Sequence, residues 1–200
     1  MGTTKGMLAA CGKSELKLDD MRGRRPGEGR YAHVEREQRW QLRMVPSDAT
    51  NARLIIDHYI VDTTLRLRMV EEPDGAVYKL SQKVRATVDN PEMVKITNTY
   101  LTANEFDLLC ILPCSIIAKN RWSLTSEGHE FAVDEFRGRH FGLVLAEREF
   151  GEDEARLAVP EFAVVEVTQD NQYSGGWLST ATDAEIHRLI ATVTDDRRIS

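Results

Sequence analysis

The chain of 200 residues has the length of a single domain, and its 42% hydrophobic and 29% charged residues are typical of a globular protein. Its formal net charge of −6 argues against general binding to nucleic acid or to a membrane surface. No stretch approaches the ~20 apolar residues of a membrane-spanning helix. We therefore expect a protein that binds neither nucleic acid nor membrane, although a local group of Arg and Lys can still bind a small anion.

Residues 1–30 are rich in Gly, Arg and Lys and show no sustained periodicity. Arg22–Arg30 consists almost entirely of turn-forming and charged residues. This composition predicts a poorly ordered tail over residues 1–30, followed by one domain over residues 31–200.

The three cysteines are Cys11, Cys110 and Cys114, and their spacing matches no known Cys/His metal motif. One lies in the predicted tail, and the other two flank Pro113 in an apolar stretch. This usage favours reduced thiols and a cytoplasmic location over a disulfide framework.

From residue 33 onward, short alternating runs are separated by turn residues, which is typical of β-strands. The predicted strands span residues 33–44, 53–61, 64–71, 77–86, 93–101, 115–123, 130–137, 142–150 and 161–168. Asp74-Gly75 predicts a hairpin between two of them. Capping boxes at Thr102–Glu105 and Thr182–Glu185 predict a short helix and a terminal helix. Many short strands with few helices predict a mainly β fold, either a sandwich or a barrel.

Several predicted strands carry charged residues two positions apart, which places them on one face of the strand. Leu65 and Leu67 alternate with one such pair, so the opposite face of that strand is apolar. The charged rows are Glu35/Glu37/Arg39, Arg66/Arg68, Lys83/Arg85, Lys119/Arg121 and Glu147/Glu149. These rows form either the solvated outside of a sandwich or, in a barrel of about eight strands, the lining of a lumen.

A lumen lined by both carboxylates and basic groups suits one class of ligand. Carboxylates bind Mg²⁺ or Mn²⁺, and Arg and Lys bind phosphate oxygens. Divalent cations would then link the acidic side of the lumen to a polyphosphate that the basic side also binds.

Over residues 33–180 the sequence resembles the CYTH superfamily, the triphosphate tunnel metalloenzymes. The family's first-strand signature, Glu-x-Glu-x-Lys, corresponds to Glu35-Arg-Glu37-Gln-Arg39. Further matching segments are Leu65–Arg68, Tyr78–Lys83, Lys119–Trp122, Val133–Gly138, Gly142–Phe150 and Glu166–Ser174. The resemblance implies a closed antiparallel eight-stranded β-barrel with a few flanking helices.

The resemblance also implies roles for the charged residues. Glu35, Glu37 and Arg39 are the expected catalytic residues. The expected metal ligands, for Mg²⁺ or Mn²⁺, are Glu35, Glu37, Asp134, Glu147 and Glu149. The expected phosphate-binding residues are Arg66, Arg68, Lys83, Arg85, Lys95, Lys119 and Arg121.

The implied function is metal-dependent hydrolysis of inorganic triphosphate or of a triphosphorylated small molecule. An adenylate cyclase and a non-catalytic polyphosphate or nucleotide sensor are alternatives, and a homodimer is left open.

Two departures from the family pattern bear on this function. Arg39 replaces the signature lysine and so differs in geometry and in its capacity to lose a proton. An Arg-x-Glu-x-Glu strand of the family aligns with Lys95-Ile-Thr97-Asn-Thr99, which lacks both acids. We expect Thr97 and Thr99 to face the lumen and to leave it more electropositive than in related proteins.

Overall fold

The computed structural model of the protein describes residues 32–87, 90–151 and 153–194. The tail predicted over residues 1–30 and the side chain of Arg85 lie outside the described part. Among the described residues, no helix is both long and apolar enough to cross a membrane.

Nine strands, three α-helices and two short 3₁₀ turns are found in the described part. The strands are β1 (Ala32–Leu42), β2 (Thr50–Ile60), β3 (Leu65–Glu72), β4 (Gly75–Thr87), β5 (Asn90–Leu101), β6 (Cys114–Ser126), β7 (His129–Phe136), β8 (Val144–Glu149) and β9 (Val165–Glu166). The helices are α1 (Ala103–Leu109), α2 (Gly175–Thr180) and α3 (Asp183–Thr194). All nine predicted strands are present, although the last is only two residues long. Helix α2 was not predicted.

The sheet closes on itself. Its strand order is β5-β4-β3-β2-β6-β7-β8-β1, and β1 also pairs with β5, so eight strands form a complete circuit. Each of these pairings is antiparallel, and β9 adds to β1 from outside the circuit. The predicted closed, eight-stranded antiparallel barrel is therefore confirmed.

The turn between β3 and β4 fixes the register of one side of the barrel. Glu72 pairs with Gly75, which leaves a two-residue turn, and Gly75 has a φ of +132°, where a side chain would be strained. In this register Arg66 lies across from Ser81, and Arg68 lies across from Lys79. Because directly opposed residues share a face of a sheet, these side chains lie on the same side of the barrel wall.

The helices pack against apolar side chains of the barrel strands. Helix α1 begins at the predicted capping box, and its Phe106 packs in one apolar cluster with Leu67, which is only 1% exposed. Helices α2 and α3 contribute Leu178 and Ile186 to a second cluster that includes Phe136. Since the apolar side chains of β3 are buried beneath α1, the alternating arginines face the other way, as the sequence predicted.

Candidate functional site in the barrel lumen

The barrel encloses a cavity of about 500 Å³, and twelve of its 29 lining residues are charged. Its charged lining residues are Glu35, Glu37, Arg39, Asp57, Arg66, Arg68, Lys79, Lys83, Lys119, Arg121, Glu147 and Glu149. Of the predicted site residues whose side chains are described, Asp134 lies just beneath this lining and Lys95 lies outside the barrel. Apart from Arg85, whose side chain lies outside the described part, the charged rows of the sequence thus line a lumen and do not form the outer face of a sandwich.

Three carboxylates converge at one part of the cavity, and we call Glu35, Glu37 and Glu149 the acidic trio. Strand pairing places Glu37 directly across from Glu149, and Glu35 lies two residues earlier on the same face of β1. One carboxylate oxygen from each of the three lies within 4.8 Å of the other two. Burial, together with the negative charges of Glu35 and Glu37, raises the pKa of Glu149 above its ordinary value. Such crowding of like charges is favourable only when a cation is present.

Lys83 contacts two carboxylates of the trio. Its Nζ donates a hydrogen bond to Glu37 at 2.5 Å and lies 3.7 Å from a carboxylate oxygen of Glu35. Glu149 has no ion-pair partner among the described residues. The ammonium group therefore neutralises part of the trio's charge.

The other two predicted metal ligands, Asp134 and Glu147, are held by protein cations. Asp134 accepts hydrogen bonds from Lys119 at 2.5 Å and from two nitrogens of Arg121 at 2.6 and 2.7 Å. Glu147 accepts one from Arg121 at 2.9 Å and one from Arg39 at 2.9 Å. We call these five residues the paired cluster. The set of five metal ligands predicted from the sequence is thus divided between the trio and this cluster.

The cations of the paired cluster determine the ionisation of its acids. Burial alone would raise the pKa of Asp134, but the charges of Arg121 and Lys119 hold it below its ordinary value. In the same way, the charges of Arg39 and Arg121 outweigh burial and hold the pKa of Glu147 well below its ordinary value. Burial lowers the pKa of Lys119 to about 8, and Asp134 opposes that shift only in part. Both acids are therefore ionised and already partnered near neutral pH.

Arg39 joins the trio to the paired cluster. Besides Glu147, its guanidinium contacts Glu37 at 3.4 Å and donates to the backbone carbonyl of Tyr173 at 3.2 Å. A planar guanidinium donates to three separate acceptors in this way, whereas an ammonium group is a compact point charge. The contacts of Arg39 thus account for arginine at the position of the family's signature lysine.

Asp57 is a lumen residue that the sequence analysis missed. It is 1% exposed and accepts two hydrogen bonds from Arg68, at 2.6 and 2.8 Å, with Nε of Arg66 at 3.5 Å. Burial would raise its pKa, but Arg68 and Arg66 hold it well below its ordinary value. Asp57 therefore fixes the direction of both arginines. The register of the β2–β3 hairpin could have identified Asp57 as a lumen residue, because Asp57 pairs with Arg68 and Tyr59 with Arg66 across a short turn.

The expectation for Lys95, Thr97 and Thr99 is wrong. Their neighbours Val94, Ile96 and Asn98 line the cavity, and Lys95 and Thr99 are exposed on the outside of the barrel. The pairing explains this, because Ile96 lies across from Lys83, which faces the lumen. The family alignment of this strand is thus one residue out of phase with its faces, and these two threonines do not make the lumen more electropositive.

Comparison with known proteins agrees with this architecture. No known protein family matches the chain in a scan against family models. An inorganic triphosphatase from Acetivibrio thermocellus is 40% identical over 72 residues, which are 36% of this chain and 45% of that protein. The match therefore spans less than half of the length of this relative.

Two crystal structures share the fold. That of the inorganic triphosphatase NE1496 has a TM-score of 0.53 and 21% identity, and it covers 74% of this chain and 95% of that one. Another, described as the hypothetical protein NE1496, has a TM-score of 0.54 and 22% identity over 74% of this chain and 98% of that one. The chain has the triphosphate tunnel fold, which is the fold that the resemblance implied.

Proposed function

We propose that this protein hydrolyses inorganic triphosphate or a triphosphorylated small molecule within its lumen, with Mg²⁺ or Mn²⁺ as cofactor. The observation that carries the proposal is a cavity in which a cluster of converging carboxylates faces a wall of cations. The inorganic triphosphatase relative from Acetivibrio thermocellus supports it. A cavity of about 500 Å³ is also of the size that holds small ligands.

The acidic trio fits a divalent metal. Ligand oxygens around an octahedral Mg²⁺ lie ~3 Å apart when adjacent and ~4.2 Å apart when opposite. One oxygen of each carboxylate already lies within 4.8 Å of the other two, so the three would draw closer together on binding a metal. Carboxylate oxygens are also the ligands that Mg²⁺ and Mn²⁺ prefer. Glu35, Glu37 and Glu149 would hold the metal, which when bound supplies a positive charge that neutralises phosphate oxygens.

The basic wall would bind and orient the phosphate chain. Arg66, Arg68, Lys83, Lys119 and Arg121 all line the cavity. Arg66 and Arg68 are held by Asp57, and Lys119 and Arg121 by Asp134, so these groups are positioned before a ligand arrives. Phosphoryl transfer depends mainly on such positioning and on charge neutralisation.

Arg39 would act from between the two acidic groups. Its guanidinium holds both Glu37 and Glu147, so it orients a trio carboxylate and does not itself need to lose a proton. A carboxylate of the trio would orient the attacking water. A cytoplasmic location and a homodimer stay predictions from the sequence.

The test is a phosphate-release screen on inorganic triphosphate, thiamine triphosphate, ATP and long-chain polyphosphate, each with Mg²⁺ and with Mn²⁺. We expect metal-dependent release of phosphate from at least one triphosphate and no release in chelator. Cyclic AMP and pyrophosphate from ATP would instead establish a cyclase. Tight metal-dependent binding without any product would establish a sensor. The variant Glu149→Gln should lose turnover, and Glu130→Gln, which changes a carboxylate bonded to Thr125 outside the lumen, should retain it.

A further inference from the structure

Lys83 lies where a metal ion would otherwise neutralise the acidic trio. Its ammonium group is 2.5 Å from Glu37 and 3.7 Å from Glu35, so it contacts two of the three carboxylates. The two carboxylates are nearly buried, whereas the Lys83 side chain is 32% exposed. The carboxylates are therefore fixed by their surroundings, and the lysine has room to move.

A divalent cation and this ammonium group compete for the same oxygens. A metal bound to Glu35 and Glu37 would lie within a few ångströms of Nζ, where two positive charges repel strongly in a partly buried site. Lys83 also occupies one oxygen of Glu37 by its hydrogen bond, and Arg39 contacts the other oxygen at 3.4 Å. Metal binding to the trio therefore requires Lys83 to leave.

The cavity offers Lys83 another partner once a phosphate chain is present. Lys83 lies on β4 two residues from Ser81 and four from Lys79, and all three side chains line the same cavity. A flexible four-carbon stem lets the ammonium group turn from the carboxylates toward a phosphate oxygen without moving the strand.

We propose that Lys83 is an exchangeable counter-ion, which neutralises Glu35 and Glu37 in the metal-free protein and moves to the phosphate chain when metal binds. This proposal rests on the proposed function, because it assumes that metal and triphosphate share the lumen. It adds a consequence for the order of binding. Metal alone binds weakly because it must displace Lys83, and triphosphate strengthens metal binding because it gives Lys83 a new partner. By linkage, metal strengthens triphosphate binding to the same extent.

The experiment is calorimetric titration of Mn²⁺ into the phosphate-free protein, with wild type, Lys83→Met and Lys79→Met compared. Lys79→Met is the matched control, because it removes a lysine of the same strand and cavity whose ammonium group lies 5.1 Å from the ring of Tyr100. We expect Lys83→Met to bind Mn²⁺ about tenfold more tightly than wild type, within the range usual for coupled sites. Lys79→Met should differ by no more than about twofold.

A second readout does not depend on metal affinity alone. In chelator, Lys83→Met should melt below wild type because the trio loses its counter-ion, and saturating Mn²⁺ should raise its melting temperature more than that of wild type. If Lys83→Met does not fold, Lys83→Gln serves in the same comparison. Equal or weaker Mn²⁺ binding by the Lys83 variant would overturn the exchange while leaving a metal-dependent triphosphatase intact. Absence of Mn²⁺ binding in all three proteins would overturn both the exchange and the proposed metal site.

Discussion

The lumen contains two groups of carboxylates that look alike in the sequence but are neutralised in different ways. In the paired cluster, Asp134 pairs with Lys119 and Arg121, Glu147 pairs with Arg39 and Arg121, and each of these ion pairs is shorter than 3 Å. The acidic trio has three carboxylates, of which Glu35 and Glu37 contact Lys83 and Glu37 also has a longer contact of 3.4 Å with Arg39. Under the proposed function, an acid in this barrel therefore either positions a cation that would bind phosphate or remains available to a metal.

The paired cluster should be important for stability. Asp134→Asn leaves Lys119 and Arg121 buried without their shared partner, and breaking a buried pair in this way costs about 3–5 kcal/mol of the free energy of unfolding. Urea denaturation measures this loss. The control is Glu135→Gln, which changes the neighbouring residue, bonded to Asn120, and should cost no more than ~1 kcal/mol. Equal losses in the two variants would mean that Asp134 does not act as the centre of a cluster.

The acidic trio should show the opposite behaviour. Glu35→Gln combined with Glu149→Gln removes two charges from three crowded carboxylates, so the metal-free melting temperature should stay constant or rise. Mn²⁺ affinity should fall by about 100-fold or more, because even residues that only orient metal ligands contribute 10–100-fold. Calorimetry and thermal melts in chelator measure the two effects. A lower metal-free melting temperature would make these carboxylates structural and remove the contrast between the two groups.

The strands could be predicted from local signals in the sequence, whereas the pairing of acids with cations in the lumen could not. Period-two alternation and turn residues located all nine strands, and the resemblance supplied closure of the barrel. The division of five acids into two groups depends on which strands are neighbours, such as β1 with β8 and β6 with β7. Those contacts join residues more than 100 positions apart in the first case, and no local pattern specifies them.

Strand β5 illustrates how one residue of register changes an interpretation. The side-chain period of a strand is two, so a shift of one residue exchanges its two faces. The alignment placed Lys95 in the lumen, whereas in the structure Val94 and Ile96 line it.

Helix α2 was not predicted, for a different reason. It begins with Gly175 and Gly176, which are poor helix formers, and its start depends on Ser174, whose side chain accepts a hydrogen bond from the backbone of Trp177.

The basic wall and the outer face of β5 can be compared directly. Arg66→Ala should weaken triphosphate binding by about 1.5–3 kcal/mol, the contribution of a hydrogen bond to a charged group. Lys95→Ala removes a cation that the sequence also assigned to phosphate but that the structure places outside, and it should leave the affinity unchanged. Fluorescence competition or calorimetry with inorganic triphosphate in chelator measures both. A comparable loss in Lys95→Ala would show that the outer face of β5 contributes to binding.

The smallest expected effect is a pH dependence that belongs to the paired cluster and not to the trio. Burial lowers the pKa of Lys119 to about 8, so this side chain loses its charge as the pH rises through that value, while the arginines keep theirs. Metal-free triphosphate affinity should therefore decrease between pH 7 and pH 9.5. The matched variant is Lys119→Arg, which keeps a positive charge throughout this range, so a ratio of the two affinities cancels any titration of the ligand. The lowered pKa of Lys119 also makes the free energy of unfolding depend on pH. Because the folded pKa lies below the ordinary 10.5, the unfolded chain binds more protons between about pH 8 and 10.5, and this residue's contribution to stability increases with pH over that interval. Parallel affinity profiles for wild type and Lys119→Arg would contradict the prediction, because they would show that Lys119 stays charged or does not contact the ligand.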